Sequence, residues 1–312
     1  MNNYDLSICV TTYNHENYIK KALDSVFEQK TDYSFEVLVG EDYSTDKTRE
    51  ILKQYEIEHK NYVNNGQLKI FYRSHNMNNE SPNNAEDLKR YCKGRYVITL
   101  EGDDFWTDDR KIDKQINFLE NHQEYIAVSH NCVVVGEDGI ANGETYPECK
   151  QTEYTIKHYM SDVLPGQTAT LMYRNIYNNS KIDTSILKKE LTPSDRLIVL
   201  VLLCNGRIYC LQECMSAYRH VTTHGDSFSA NYKYNFKRSA NWYKEFVTYL
   251  SIAKPEMLKY GEALYFRNII RDEECTTKEI KYFMSFKHKF YSLWKWFIFK
   301  IRKDILHKEI WI

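Results

Sequence analysis

Short apolar runs alternate with segments of helical periodicity from residue 5 to about residue 135. The runs are rich in β-branched residues and predict strands, whereas apolar positions that recur every three or four residues predict helices. Strands are expected at 6–10, 35–39, 68–72 and 96–100, and helices at 19–27, 51–55, 83–93 and 112–119, the last capped by Asp108. Because such alternation is typical of βαβ units, we predict an α/β fold with a mostly parallel central sheet flanked by helices.

The pattern changes twice further along the chain. From about 135 to 235, Gly, Asn, Thr and Pro separate short apolar runs, and the strongly apolar segment 195–204 predicts a buried helix. From 236 to 312 the sequence is helical, aromatic and basic. We therefore expect one domain over residues 1–235, divided near residue 130, followed by a helical C-terminal extension.

Composition excludes several classes of protein. The 312 residues carry 42 basic and 43 acidic side chains, so no global field attracts nucleic acid, and no nucleic-acid partner is expected. Eight cysteines without a CxxC pair indicate a reducing, cytoplasmic setting. The first residues lack the pattern of a secretory signal, and no stretch reaches the roughly 20 apolar residues of a spanning helix.

Two acidic clusters directly follow strand-like runs. Glu-Gly-Asp-Asp at 101–104 follows the run at 96–100, and a second cluster at 41–46 follows the run at 35–39. The carboxyl ends of parallel strands meet at one edge of the sheet, where open α/β sheets bind ligands. Carboxylate oxygens are hard ligands that suit Mg²⁺ or Mn²⁺. The sequence therefore predicts a metal and nucleotide site at this edge.

Three motifs resemble those of family 2 glycosyltransferases, which have the GT-A fold. ICVTTYN at 8–14 resembles the first strand and nucleotide loop, VGEDYSTDKT at 39–48 the second motif, and EGDDFW at 101–106 the metal-binding DxD motif. The resemblance implies a nucleotide-sugar-binding half at 1–130 and an acceptor-binding half at 131–235. It also implies an inverting, metal-dependent hexosyltransferase in which Mn²⁺ or Mg²⁺ neutralises a diphosphate leaving group.

The resemblance assigns roles to the acidic residues. Asp103 would be the main metal ligand, and Glu101, which replaces the family's Asp, would contact the ribose. Asp104 would order the site or bind a metal-bound water, and the alternative for this cluster is a solvated acidic loop. Asp42 would accept a hydrogen bond from a base N–H, so UDP-linked donors fit best while GDP-linked donors stay open. For Asp42 and Asp46 the alternative is turn and cap formation.

Thr11 and Tyr13 would flank the nucleotide, with the Tyr13 ring as a stacking surface. Arg219 and His224 resemble residues of the loop that closes over the diphosphate, where they would meet phosphate oxygens or the metal. A lone histidine is more often structural, so a weak metal contact and a structural role both stay open for His224.

The resemblance places the acceptor side later in the chain. Asp195 opens the apolar segment and matches the position of the family's catalytic base, which takes the proton of the acceptor hydroxyl. A carboxylate at a helix start is also a good cap, so this alternative stays open. Gln167 and Thr168 lie in a segment that resembles the lining of the acceptor cleft.

The C-terminal segment at 287–312 places its apolar residues on one third of a helical projection and most of its cations outside that arc. A basic helix with Trp and Phe on its apolar side suits the surface of an anionic membrane, and the alternative is a helix that docks on the protein. The apolar residues are Phe290, Leu293, Trp294, Phe297, Ile298, Ile301 and Ile305, and the cations are Lys289, Lys295, Lys300, Arg302 and Lys303.

Together these observations predict a cytoplasmic glycosyltransferase, peripheral at the inner face of the cell membrane, that uses a nucleotide sugar. The expected acceptor is a glycan, such as a lipid-linked oligosaccharide of bacterial surface polysaccharide synthesis. A nucleotidyltransferase is discounted because the loop at 12–17 contains no glycine. A catalytically inactive sugar-nucleotide-binding or scaffold protein stays open because Glu101 replaces Asp.

Overall fold

The structure is a computed structural model that describes residues 4–59, 66–77, 80, 82–188, 194–221 and 235–306. The chain divides into two compact units. The first comprises Met1–Tyr154, Pro165–Asp183 and Asn205–Tyr232, and the second comprises Thr155–Leu164, Thr184–Cys204 and Lys233–Ile312. A division of the chain into domains at residue 235 stays a prediction.

The first unit is built on a sheet of nine strands among the described residues. They are β1 Tyr4–Thr12, β2 Phe35–Glu41, β3 Gly66–Tyr72, β4 Gly94–Glu101, β5 Phe105–Trp106, β6 Tyr125–Val135, β7 Glu153–Tyr154, β8 Met172–Arg174 and β9 Arg207–Arg219. Their order is β3-β2-β1-β4-β8-β6-β9-β5, and β7 pairs with β9. The strands β3, β2, β1 and β4 are parallel, whereas β8 pairs antiparallel with β4 and β6.

Within its described residues the same unit has four α-helices: α1 Ile19–Phe27, α2 Thr48–Glu58, α3 Asn84–Lys89 and α4 Lys111–Asn121. One continuous core joins residues of β1, β2 and β4 to α1, α2 and α4. Both faces of β2 are buried, as expected of a central parallel strand. The predicted α/β class with helices around a parallel sheet is therefore confirmed for this part of the chain.

Two local predictions differ from the structure. The helix α3 is shorter than predicted, and Asn83 starts it in a capping box with Glu86. The helix α4 begins after Arg110, so Asp108 is not its N-cap residue. The Asp108 carboxylate instead accepts a hydrogen bond from the Arg110 backbone N–H and one from Lys114 Nζ.

The described part of the second unit is helical. Its α-helices are α5 Ile156–Met160, α6 Ser194–Asn205 (whose last residue belongs to the first unit), α7 Phe236–Ala253, α8 Leu258–Ile269, α9 Thr277–Met284 and α10 Lys289–Leu306. Residues 197–202 of α6 are all buried, which confirms the prediction of a buried apolar helix. Stacked aromatic rings, such as Trp242 on Phe246 and Phe266 on Phe283, fill the core around α7, α8 and α9. The predicted helical C-terminal extension is confirmed.

Among the helices of the described residues, none combines the length and the apolar character needed to cross a membrane.

Candidate functional site

Loops from three parallel strands meet at the carboxyl end of β1. The Gly102 backbone N–H donates to the Thr11 carbonyl oxygen at 2.8 Å, and the Asp42 N–H donates to the Thr12 carbonyl oxygen at 3.0 Å. These bonds tie the loop after β4 and the loop after β2 to the end of β1. The two acidic clusters of the sequence therefore lie at the same edge of the sheet, as predicted.

Close packing at this edge requires a glycine at position 102. A Cβ atom there would lie 2.9 Å from the Thr12 Oγ1 and from the His15 Nδ1. His15 was not predicted as a site residue, yet its Nε2 lies 3.8 Å from an oxygen of Asp103. Its place in the loop directly after β1 is the signal that would have identified it.

Asp42 is buried, and one of its carboxylate oxygens is engaged by the protein. That oxygen accepts a hydrogen bond from the Met77 backbone N–H at 2.8 Å. Within the described parts of the chain, no hydrogen-bond donor contacts the second oxygen. Burial raises the pKa of the Asp42 carboxyl above its usual value. A ligand N–H that reached the second oxygen would therefore meet a carboxylate that is short of hydrogen bonds.

The neighbours of Asp42 are held by a buried ion pair. Glu41 is fully buried, pairs with the Arg49 guanidinium and accepts a hydrogen bond from the Ser44 N–H at 2.6 Å. Tyr43 has a φ of 65°, a backbone conformation that residues other than glycine rarely adopt. Its ring faces the Arg49 guanidinium at 5.3 Å. The ion pair of Glu41 and its hydrogen bond from Ser44 thus hold this strained turn in place.

Asp46 serves as a local structural residue. Its carboxylate accepts hydrogen bonds from the backbone N–H groups of Thr48 and Glu16, both at 2.9 Å. The structure therefore shows the turn role considered for this residue, whereas the N-cap position of α2 is Lys47.

Glu101, Asp103 and Asp104, which we call the acidic cluster, are organised around a buried amide. Gln167 Nε2 donates to an Asp104 oxygen at 2.7 Å and to a Glu101 oxygen at 2.9 Å. The Arg219 backbone N–H donates to the other Asp104 oxygen at 2.7 Å. Burial, together with the charges of Asp103 and Glu101, raises the pKa of Asp104 well above its usual value. Asp104 is thus an internal support of the cluster.

The Arg219 guanidinium is occupied by backbone carbonyl groups. It donates to the carbonyl oxygen of Asp103 at 2.9 Å and to those of Gly136 and Glu137 at 2.7 and 2.6 Å. It also lies over the Tyr18 ring at 4.2 Å. In this structure Arg219 therefore holds the backbone around Asp103, and its contact with a phosphate stays a prediction.

The acidic cluster fits a loosely held divalent cation. The described residues contain no group of three or more His, Cys, Asp or Glu side chains arranged to hold a metal. Mg²⁺, however, is commonly bound by one or two carboxylates, water and the phosphates of a substrate. The Asp103 carboxylate is partly exposed, unlike that of Asp104, and its role as a metal ligand stays a prediction.

The predicted contact residues Thr11, Tyr13, Gln167 and Thr168 also belong to the first unit. Thr11 and Tyr13 lie half-buried at the end of β1. Gln167 precedes a short 3₁₀ helix, Thr168–Thr170, and its side-chain oxygen accepts a hydrogen bond from the second residue of that helix. His224 lies outside the described residues.

Asp195 belongs to the second unit, in the first turn of α6. One of its oxygens accepts a hydrogen bond from the N–H of the next residue, Arg196, at 2.7 Å. The Arg196 guanidinium forms an ion pair with Asp162 at 2.6 Å, and Asp162 also pairs with Arg267 at 3.2 Å. The start of α6 is thus anchored within its own unit, and the role of Asp195 as a base stays a prediction.

Known proteins are similar to this chain in sequence and in fold. An uncharacterized protein of Mycobacterium tuberculosis is 29% identical over 214 residues, which are 69% of this chain and 58% of that protein. TuaG of Bacillus subtilis, whose name assigns it provisionally to teichuronic acid biosynthesis as a glycosyltransferase, is 27% identical over 237 residues, 72% of this chain and 82% of TuaG. The chain thus spans less than two thirds of the mycobacterial relative.

The crystal structure of Staphylococcus aureus TarS 1–349 in complex with UDP-GlcNAc is similar in fold, with a TM-score of 0.62 at 19% identity. The match covers 86% of this chain and 72% of the TarS chain, which confirms the predicted GT-A fold. The family model of glycosyl transferase family 2 matches residues 7–179, more than half of the chain and all three motifs at the edge of the sheet. The chain therefore belongs to glycosyl transferase family 2.

Proposed function

We propose that the protein is an inverting glycosyltransferase that transfers a sugar from a nucleotide-sugar donor, UDP-linked, to a glycan acceptor. The observation that carries the proposal is the meeting of Asp42 and the acidic cluster at the carboxyl end of β1, in a chain that belongs to glycosyl transferase family 2. The similarity of the fold to a protein crystallised with UDP-GlcNAc supports the choice of nucleotide.

Asp42 recognises the nucleobase in this proposal. Its second carboxylate oxygen accepts the N–H of a uracil ring, while Thr11 and Tyr13 flank the nucleotide. Hydrogen bonds to charged groups contribute about 1.5–3 kcal/mol, enough to select among bases. The Glu41–Arg49 ion pair holds the turn in which Asp42 lies.

The acidic cluster serves the diphosphate end of the donor. Asp103 would hold Mn²⁺ or Mg²⁺, and Glu101 would contact the ribose. A divalent ion, when bound, neutralises the negative charge that grows on the leaving diphosphate. Gln167 holds the Glu101 carboxylate beside Asp104 through the hydrogen bonds already described. Arg219 fixes the backbone beside Asp103.

Asp195 is the proposed base that takes the proton of the acceptor hydroxyl. Thr168 is a proposed acceptor contact, whereas the Gln167 amide is engaged by the acidic cluster. The proposed acceptor is a lipid-linked oligosaccharide of bacterial surface polysaccharide synthesis, at the cytoplasmic face of the cell membrane. The name of TuaG, which refers to teichuronic acid biosynthesis, supports this class of acceptor.

The test is the release of nucleoside diphosphate from a panel of UDP-, GDP- and dTDP-sugars, with Mn²⁺ or Mg²⁺ and then with EDTA. We expect metal-dependent release from one UDP-sugar, which D103N abolishes. The matched control is D109N, since Asp109 lies a few residues away in a surface ion pair with Lys30. Release that survives both EDTA and D103N would contradict the proposed site.

The same experiment distinguishes an active glycosyltransferase from the alternative, a catalytically inactive protein that only binds the sugar nucleotide. Calorimetric binding of a UDP-sugar without any release, even with glycan acceptors present, would favour that alternative. The base is tested separately with D195N, which should lose transfer to an acceptor and keep donor affinity. Normal transfer by D195N would refute the role of Asp195.

A further inference from the structure

The C-terminal helix α10 has one face that packs within the second unit. Ser292 and Phe299 are buried on this face, and the Phe299 ring lies 5.1 Å from the Arg271 guanidinium. The Tyr291 ring, at the border of the face, meets the edge of the Tyr260 ring of α8 at 6.1 Å. These contacts fix the rotation of α10 about its own axis.

The opposite face of α10 carries large apolar side chains in solvent. Phe290 is 74% exposed, Trp294 57%, Phe297 56% and Ile301 36%. We call these four residues the aromatic stripe. Their spacing of four, three and four residues aligns them along one side of a helix with 3.6 residues per turn. Four of the side chains that sequence analysis placed on the apolar arc are thus exposed, whereas Leu293 and Ile298 at its borders are half-buried, and Phe299, off that arc, makes the docking contact.

Positive charge borders the aromatic stripe on both sides. On a helical projection of about 100° per residue, Lys289 and Lys300 lie on one side of the stripe and Arg302 on the other, whereas Lys295 and Lys303 lie closer to the buried face and Asp304 lies beside the stripe. Within α10, Asp304 is the one acidic residue. Partial burial and the positive charges of Arg302, Lys157 and Lys259 lower the pKa of Lys295, in keeping with a locally positive surface.

We propose that the aromatic stripe inserts into the interface of an anionic membrane while the flanking cations bind lipid headgroups. Trp and Phe are suited to the boundary between headgroups and acyl chains, and Lys and Arg extend from that depth to the phosphates. Each Lys or Arg near an anionic membrane surface contributes about 1 kcal/mol to the free energy of membrane binding. The proposal does not depend on the glycosyltransferase activity.

A second copy of the chain is the less suitable occupant. Two stripes that met about a two-fold axis would bring the five cations of each α10 close to the five of the other. Like charges at such an interface oppose association, whereas an anionic lipid surface complements them. Charge complementarity therefore favours lipid.

The experiment is cosedimentation of the 312-residue chain with vesicles of phosphatidylcholine, with and without phosphatidylglycerol. We expect binding to the anionic vesicles that weakens at high salt and weakens about tenfold or more in W294S/F297S. The matched control is I252S, because Ile252 is 82% exposed on α7 of the same unit but lies outside the stripe. A charge variant, K300E/K303E, should weaken binding to anionic vesicles more than binding to neutral ones.

Each substitution is at an exposed position, so thermal unfolding should match that of the unaltered chain. Equal binding by the unaltered chain and W294S/F297S, or no binding by the unaltered chain, would overturn the proposal. A dimer that W294S/F297S abolishes, without vesicle binding, would identify a subunit interface and also overturn it. Donor hydrolysis should be unchanged in W294S/F297S, so failure of the membrane proposal is distinguishable from failure of the proposed activity.

Discussion

The buried amide of Gln167 offers the sharpest test of how the acidic cluster is held together. Its side chain is 3% exposed and donates to Asp104, which is 1% exposed, and to Glu101. The substitution Q167E replaces this donor with a third carboxyl group of almost the same shape. The change therefore tests electrostatics with little disturbance of packing.

The cost can be estimated from the contacts. Two carboxylates about 3 Å apart repel by about 5 kcal/mol at an effective dielectric constant near 20. The new carboxyl escapes this repulsion by keeping its proton, which costs about 3.7 kcal/mol at pH 7 relative to a usual pKa of about 4.3. The protonated group can donate one hydrogen bond where Gln167 donates two, and the lost bond costs about 1.5–3 kcal/mol. We expect Q167E to lose about 5–7 kcal/mol of unfolding free energy at pH 7.

The loss should depend on pH with a defined sign. A buried carboxyl at position 167 would have a higher pKa in the folded state than in the unfolded state. Between these two pKa values the folded protein holds more protons, so stability falls as pH rises. Urea unfolding at pH 7 and pH 5 should therefore show a smaller loss at pH 5. Q167M removes the donors without adding charge, and because the Gln167 hydrogen bond lowers the pKa of Asp104, its loss should also be smaller at pH 5.

Q54E is the matched control. Gln54 is exposed on α2 and donates to Glu58, one turn away, at 2.8 Å. The substitution creates a pair of carboxylates in water, which should cost no more than about 0.5 kcal/mol. If Q167E lost no more stability than Q54E, or lost the same at pH 7 and pH 5, the amide would not be holding the carboxylates together.

Three further predictions follow from buried charges. D42N should weaken UDP binding by about tenfold or more in calorimetry. Binding of UDP to the unaltered protein should also weaken as pH falls. Burial raises the pKa of Asp42, and its protonated oxygen no longer accepts the base N–H. R49M leaves Glu41 buried without its partner and should cost about 3 kcal/mol in urea unfolding; an unchanged midpoint would show that the pair is dispensable. Burial lowers the pKa of Lys111 well below its usual value, so below about pH 10 the unfolded chain binds the proton more readily than the folded chain does. The free energy of unfolding should therefore rise from pH 7 to pH 9. K111M should lack this rise.

The parallel part of the sheet could be predicted because each of its elements is a local pattern. The structure has β1, β2, β4 and the helix α1 within a few residues of the predicted bounds. The strand β9 was missed, because its middle is exposed and its pairing with β6 includes register shifts. No continuous apolar run marks such a strand, and its pairing is decided by tertiary contacts.

The candidate site shows the same limit. The strand ends located Asp42 and the acidic cluster, because topology alone brings carboxyl ends of parallel strands to one edge. The groups that hold these carboxylates come from distant parts of the chain: Gln167 is 63 residues from Asp104, and Arg219 is 115 residues from it. A motif identifies residues that face a ligand, but the donors that support them are fixed only by the folded chain.

Burial separates the acidic residues at this edge into two roles. Asp104 and Glu41 are buried with both oxygens engaged by protein donors, whereas Asp103 is partly exposed. Glu101 was the feature that favoured an inactive protein, because it stands where the resembling family has Asp. In the structure its carboxylate shares the Gln167 amide with Asp104, so the longer side chain is part of an ordered cluster. A glutamate integrated in this way gives no reason to expect lost catalysis, and turnover, rather than binding alone, is the expected result with the correct donor.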